Sequence, residues 1–118
     1  MRAKDVLGKS GERAAADYLQ SHGMRILDQN WRCDIGEIDI VAVDRSVFVV
    51  CEVKTRSGVR YGTPIEAVTR VKLRRLRRLA VAWLNAHGVR FDQVRIDVLG
   101  LLRDGPDGFT IEHVRGVG

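Results

Sequence analysis

Two prolines, two cysteines and no apolar run longer than the six residues Leu79 to Leu84 set the first limits on this 118-residue chain. A membrane-spanning helix needs about twenty predominantly apolar residues, so none is expected. Cys33 and Cys51 stand apart with no CxxC pair, and the three histidines are scattered. That spacing argues against a zinc site or a disulfide framework and makes a reduced, cytoplasmic setting the default. The N-terminus carries basic residues with no apolar stretch behind them, so no secretory signal is expected. With 45% hydrophobic residues and so little proline, the chain is neither a disordered tail nor a low-complexity linker. Its length suits one domain, 1–118, able to fold without covalent staples.

The charge is unevenly placed. The whole chain carries +5, yet the stretch from Lys54 to Arg78 holds nine Lys or Arg against one acid, Glu66. All the positive excess therefore lies in 25 residues. A phosphate backbone would be met by such a footprint, although a solvated basic helix face has the same composition.

Apolar and small residues from about Asp5 to His22 recur at spacings of three and four, which predicts a helix ended by Gly23. Gly8, Gly11 and Ala15 would let it press closely on what it covers. Strands are predicted over Met24 to Trp31, Glu37 to Val43 and Val47 to Lys54, the last two joined by a turn at Asp44, Arg45 and Ser46. A second helix is predicted from Pro64 to His87, with Thr63 as N-cap, Glu66 closing a capping box and Gly88 as stop. Gln93 to Leu102 and Phe109 to Val114 complete the order α-β-β-β-α-β-β. The fold class is α/β: a mixed central sheet with flanking helices.

The chemistry lies in GEIDIVAVD and VFVVCEVKTR. Alternation along a strand puts Glu37 and Asp39 on one face of the first, and Glu52 and Lys54 on one face of the second. If Arg45 and Ser46 make a two-residue turn, Asp44 pairs with Val47, Asp39 lies opposite Glu52, and Glu37 lies opposite Lys54. A slip of one residue would separate Asp39 from Glu52. Two facing carboxylates repel, and a divalent cation would relieve that repulsion; oxygen-only ligation suits Mg²⁺ or Mn²⁺. Lys54 would orient a water or stabilise a phosphate, unless it only pairs with Glu37 or Glu52 on a solvated face.

Gly11-Glu12, Trp31-Arg32, Gly36-Glu37-Ile38-Asp39, Glu52-Val53-Lys54-Thr55-Arg56, Gly62 and Pro64 together resemble the bacterial YraN-like proteins. These are placed in the restriction-endonuclease-like PD-(D/E)XK nuclease superfamily, close to archaeal Holliday-junction resolvases. The resemblance runs from about residue 8 to residue 100 and implies a single nuclease-like domain. It makes Asp39 and Glu52 the metal-binding acids, Lys54 the catalytic lysine and Glu12 a first-helix glutamate that joins the site. The residues alone leave Glu12 open between facing the sheet and favouring its helix dipole. One departure is Ile38, which stands where the superfamily's name has proline.

On the second helix, Ile65, Leu73, Leu76, Leu79, Ala80 and Trp83 form an apolar stripe that reads as core. Arg70, Arg74, Arg75, Arg77 and Arg78 lie mainly on the other side and, with Arg56, could track phosphates without reading bases. Lys72 joins this basic set but falls on the sheet-facing side, where it either reaches the carboxylates or snorkels to solvent. Asp97 shares a face with Leu99 and is either paired with an arginine or catalytic. Cys51 reads as core filler, His22 and His87 as helix C-terminal residues, and His113 as lacking a partner.

The expected function is a Mg²⁺- or Mn²⁺-dependent nuclease acting on nucleic acid, DNA favoured over RNA, with branched DNA as the substrate the resemblance implies. Cleavage would leave a 5′-phosphate. A non-catalytic nucleic-acid-binding module and a domain whose basic helix meets an acidic protein are the alternatives. Symmetric cutting of a junction would favour a homodimer.

Overall fold

The computed structural model describes residues 3–58, 68–106 and 108–117. Among the described residues seven elements follow in the predicted order: α1 (Ala3–Ser21), β1 (Arg25–Cys33), β2 (Gly36–Asp44), β3 (Val47–Arg56), α2 (Arg70–His87), β4 (Val94–Asp104) and β5 (Gly108–Val114). The strands form one sheet in the order β1-β2-β3-β4-β5, antiparallel except where β3 and β4 run parallel. Parallel neighbours cannot be joined by a hairpin, and α2 lies in the crossover between them. The tight turn at Arg45 and Ser46 sets the central register. Arg45 takes a left-handed backbone, φ 60°, and Asp44 pairs with Val47 as expected.

Alternation along β3 divides the core into two layers. Val49 and Cys51 point to one face, where Ala15, Ala16 and Leu19 of α1 cover Ile40, Ala42, Leu99 and Leu101. Phe48 and Val50 point to the other, where Leu76, Leu79, Ala80 and Trp83 of α2 cover Val41 and Ile96. Trp83 is core, as its place in the apolar stripe predicts. Gly11 lets α1 come down on β3: a Cβ there would lie 2.8 Å from Thr55 Cγ2. Gly8, by contrast, meets nothing within 4 Å, so close packing rests on Gly11 rather than on both glycines.

The second helix begins later than the sequence predicts. Val68 and Thr69 are not helical, and the extended backbone of Thr69 (φ −97°, ψ 167°) makes it the N-cap, its Oγ1 accepting the N–H of Lys72 at 3.2 Å. The signal at Thr63, Pro64 and Glu66, with Ile65, lies outside the described residues; an unbroken helix from Pro64 to His87 is ruled out by Val68 and Thr69. At the other end Gly88 is left-handed, φ 63°, and caps the helix as predicted.

Asp97 is fully buried and structural in its bonding. It accepts from Arg95 Nε (2.8 Å) and a terminal Arg95 nitrogen (2.9 Å) and from the Gly116 N–H (3.1 Å), and it lies 2.8 Å from His113 Nε2. His113 therefore has a partner after all, and its Nδ1 lies 3.2 Å from the Tyr18 hydroxyl. Burial by itself raises the Asp97 carboxyl, but these donors outweigh it and hold the group below its usual value. Because Asp97 pairs with Cys51 in the parallel register, it faces α1, away from the Glu52 side.

Candidate active site

The β2–β3 ladder is regular from Asp44↔Val47 to Ile40↔Cys51 and ends there. Beyond it the strands part. Ile38 and Ile40 are both fully buried yet belong to opposite layers, so the alternation of β2 breaks at Asp39. Instead of a carbonyl, the Asp39 carboxylate accepts the Val53 N–H, Oδ2 to N 2.8 Å. A side chain thus takes over a backbone partner at the point where the sheet opens. On β1, Asn30 adopts φ 53° between the pairs Gln29↔Ile40 and Trp31↔Ile38, directly across from the same break.

Asp39 and Glu52 come together, although the ladder stops one pair short of the Asp39↔Glu52 pairing that the register argument expects. Glu52 is 4% exposed and Asp39 is half-buried, and the two carboxyls lie close enough for Glu52 to raise Asp39. Burial first, then the neighbouring Glu52, push Asp39 up to about 8, against the opposing pull of the Val53 N–H. Lys54 Nζ lies 3.8 Å from Glu52 Oε2, and Lys72 Nζ makes a closer ion pair with the same oxygen. Neither ammonium has hydrogen-bond geometry there, so Glu52 Oε2 is a buried oxygen without a hydrogen bond. Burial and the adjoining Lys72 lower the Lys54 ammonium; burial also lowers Lys72, but the adjacent Glu52 carboxylate outweighs it and leaves Lys72 raised.

These groups line a cleft of about 250 Å³ whose walls include Glu37, Arg75 and Leu79. Glu37 does not meet Lys54 as the register argument expects. It pairs with Arg32 across the β1–β2 ladder at 2.6 Å, because the parting of β2 and β3 carries it away from β3. Glu37 also borders a broader cleft of about 930 Å³ between α1 and β1, which Glu12 and Asn30 line. Glu12 is half-buried and faces this side of the sheet rather than solvent alone. Burial raises it, the Asn30 side chain offsets part of that, and Glu37 adds to it; its charge is felt at Asp39.

The basic set divides. Arg70, Arg74, Arg75, Arg77 and Arg78 are exposed along α2, Arg75 bordering the acidic cleft and Arg77 reaching toward the Val117 carbonyl at 3.5 Å. Arg56 is half-buried and donates to the Thr55 carbonyl at 3.1 Å. Lys72 turns inward to Glu52 and does not snorkel away. Its sheet-facing place on the helical wheel was the available signal; the breaks at Asn30 and Asp39 left none in the sequence, since single residues off the regular alternation look like any other.

A divalent cation suits what is present. Two carboxylates, one of them carrying an oxygen without a hydrogen bond, form an oxygen-only donor set and leave other positions to water and substrate oxygens, as Mg²⁺ prefers.

Comparison with known proteins gives a family. The model for "Uncharacterised protein family UPF0102" matches residues 11–101. A UPF0102 protein of Arthrobacter sp. (strain FB24) is 56% identical over 118 residues, covering 100% of each chain. Another, from Paenarthrobacter aurescens (strain TC1), is 53% identical over 117 residues, 99% of this chain and 97% of its own. Among solved structures, Pyrococcus furiosus SfsA in complex with Ca²⁺ is similar at a TM-score of 0.38 and 18% identity, over 93% of this chain and 62% of that one. Among the described residues no helix is long and apolar enough to cross a membrane.

Proposed function

The chain belongs to the UPF0102 family, and from its acidic cleft we propose that it is a nuclease, dependent on Mg²⁺ or Mn²⁺, that hydrolyses phosphodiesters of nucleic acid, branched DNA in particular. The observation that carries this reading is Glu52, buried against Asp39 with two lysines beside it. Holding two adjoining carboxylates in a half-buried sheet is unfavourable by several kcal/mol for each charge left uncompensated. A site that keeps them, at the mouth of a cleft bordered by arginine, is suited to a cation and a phosphate.

Asp39 and Glu52 would hold the metal, which when bound polarises the scissile phosphate and favours attack by water. Lys54, held below its ordinary value by burial and by Lys72, is suited to accept a proton from that water or to orient it. Arg75 stands at the edge of the cleft to meet a phosphate oxygen. Glu12 acts at longer range, holding negative charge at the α1 side of the site. The exposed Arg70, Arg74 and Arg78 extend a basic surface along α2 for the adjoining backbone, which is read by shape rather than by sequence. The cytoplasm is the compartment proposed.

The test is incubation of purified protein with labelled four-way junction, flap and duplex DNA in Mg²⁺ or Mn²⁺. Cleavage is expected, leaving 5′-phosphates, and Asp39→Ala and Glu52→Ala should each lower it by at least about a hundredfold. Activity that survives both substitutions would remove the acidic pair from the chemistry. Binding without turnover under either metal would favour the non-catalytic module, which the exposed arginines alone support.

A further inference from the structure

Lys72 stands apart from the arginines around it. Its neighbours on α2 are exposed, whereas its Nζ makes the closest ion pair to Glu52 Oε2, the oxygen that lacks a hydrogen bond. The backbone beneath it is pinned, because the N-cap Thr69 accepts the Lys72 N–H. The two partners differ in freedom. The Glu52 side chain is 5% exposed on a central strand of the sheet, while that of Lys72 is 32% exposed and lines the cleft that Arg75 also borders.

An ammonium in contact with Glu52 Oε2 occupies the space that a cation ligated by the same oxygen would need, since Mg²⁺ binds oxygens at roughly 2.1 Å. Lys54, at 3.8 Å, lies farther from that oxygen. We propose that Lys72 is a displaceable internal counter-ion: it neutralises Glu52 while the site is free of divalent cation, competes with the cation for Glu52 Oε2, and on displacement presents its ammonium to a substrate phosphate. The proposal rests on the reading that Asp39 and Glu52 hold a divalent cation, and it makes Lys72 a positioning residue that links loading of the metal to phosphate binding.

The experiment titrates Mn²⁺ alone into the metal-free full chain and follows the spin-resonance signal of free Mn²⁺. Lys72→Met should bind Mn²⁺ about tenfold more tightly than the unaltered protein, because a like charge near the ion is gone. Lys72→Arg, which keeps the charge, should stay within about twofold. A purely structural role for Lys72 has the opposite sign, since a loosened site binds more weakly. Equal or weaker binding by a folded Lys72→Met protein overturns the proposal and leaves the metal reading standing. If the unaltered protein and Lys72→Met both fail to bind Mn²⁺, the metal reading falls and this proposal with it. The unaltered chain supplies a measurement that does not depend on the variant folding: saturating Mg²⁺ should move the Lys72 ¹⁵Nζ resonance to that of a solvated lysine. A resonance that stays in place at saturation overturns the proposal.

Discussion

At the scale of single residues, the determining feature is a carboxyl held where it does not favour being charged. Asp39 accepts the Val53 N–H but is half-buried beside Glu52, and it reaches about 8 in consequence. A carboxyl raised by folding stabilises the protein below its unfolded value, near 3.8, and that contribution is lost as pH rises through about 8. In the absence of divalent cations, stability should therefore fall by about 2 kcal/mol or more between pH 5 and pH 9. Asp39→Asn should flatten this limb while still accepting the Val53 N–H, and saturating Mg²⁺ should flatten it in the unaltered protein. Urea titrations across the pH range check both. A limb unchanged in Asp39→Asn would assign the titration elsewhere. Asp97 is the instructive contrast: more deeply buried than Asp39, it is held below its usual value by donors from Arg95, His113 and Gly116, which outweigh its burial.

At the scale of elements, α1 and α2 each contribute to the site through one close approach. For α1 it is Gly11 against Thr55, one residue after Lys54 on β3. An alanine in a helix interior is ordinarily favoured over glycine by up to about 1 kcal/mol. Here the clash should reverse the sign, and Gly11→Ala should destabilise by about 1–3 kcal/mol. Adding Thr55→Ala should recover a good part of that loss, which a double-mutant cycle in urea would read as coupling between the two positions. Strict additivity would show that α1 and β3 do not meet there. For α2 the approach is made by Lys72, and it depends on where the helix starts. Thr69 as N-cap places Lys72 in the first turn, over Glu52. The capping-box signal at Thr63, Pro64 and Glu66 draws the predicted start away from Thr69, because a capping box is read from spacing alone while the extended backbone of Thr69 is a property of the folded chain.

At the scale of the molecule, acidic and basic features adjoin in the cleft that Asp39, Glu52, Lys72 and Arg75 line. The acidic cleft opens beside α2, whose exposed side carries the arginines, so a backbone lying along the helix would bring a phosphate to Arg75 and then to the carboxylates. On the proposed reading, charge reversal at Arg74 and Arg78, both exposed, should weaken binding to every DNA sequence alike. It should also reduce the slope of log affinity against log salt by about two, near 0.9 for each lost phosphate contact. Fluorescence anisotropy over a salt series measures this, and an unchanged slope would move the interface off α2.

The order α-β-β-β-α-β-β, the turn at Arg45 and Ser46, and the register from Asp44↔Val47 to Ile40↔Cys51 follow from period-two patterning and a count of residues outward from that turn, which local chemistry determines. The two helix stops at Gly23 and Gly88 follow for the same reason, since a left-handed backbone there selects glycine. Only the folded chain decided that the ladder ends at Ile40 and Cys51, that Glu37 leaves for Arg32, that His113 finds Asp97, and that Lys72 rather than an arginine reaches Glu52. Each of these joins groups that are distant in sequence or depends on where a regular element fails, and neither periodicity nor propensity carries that information, because both describe a strand or helix as if it went on unbroken.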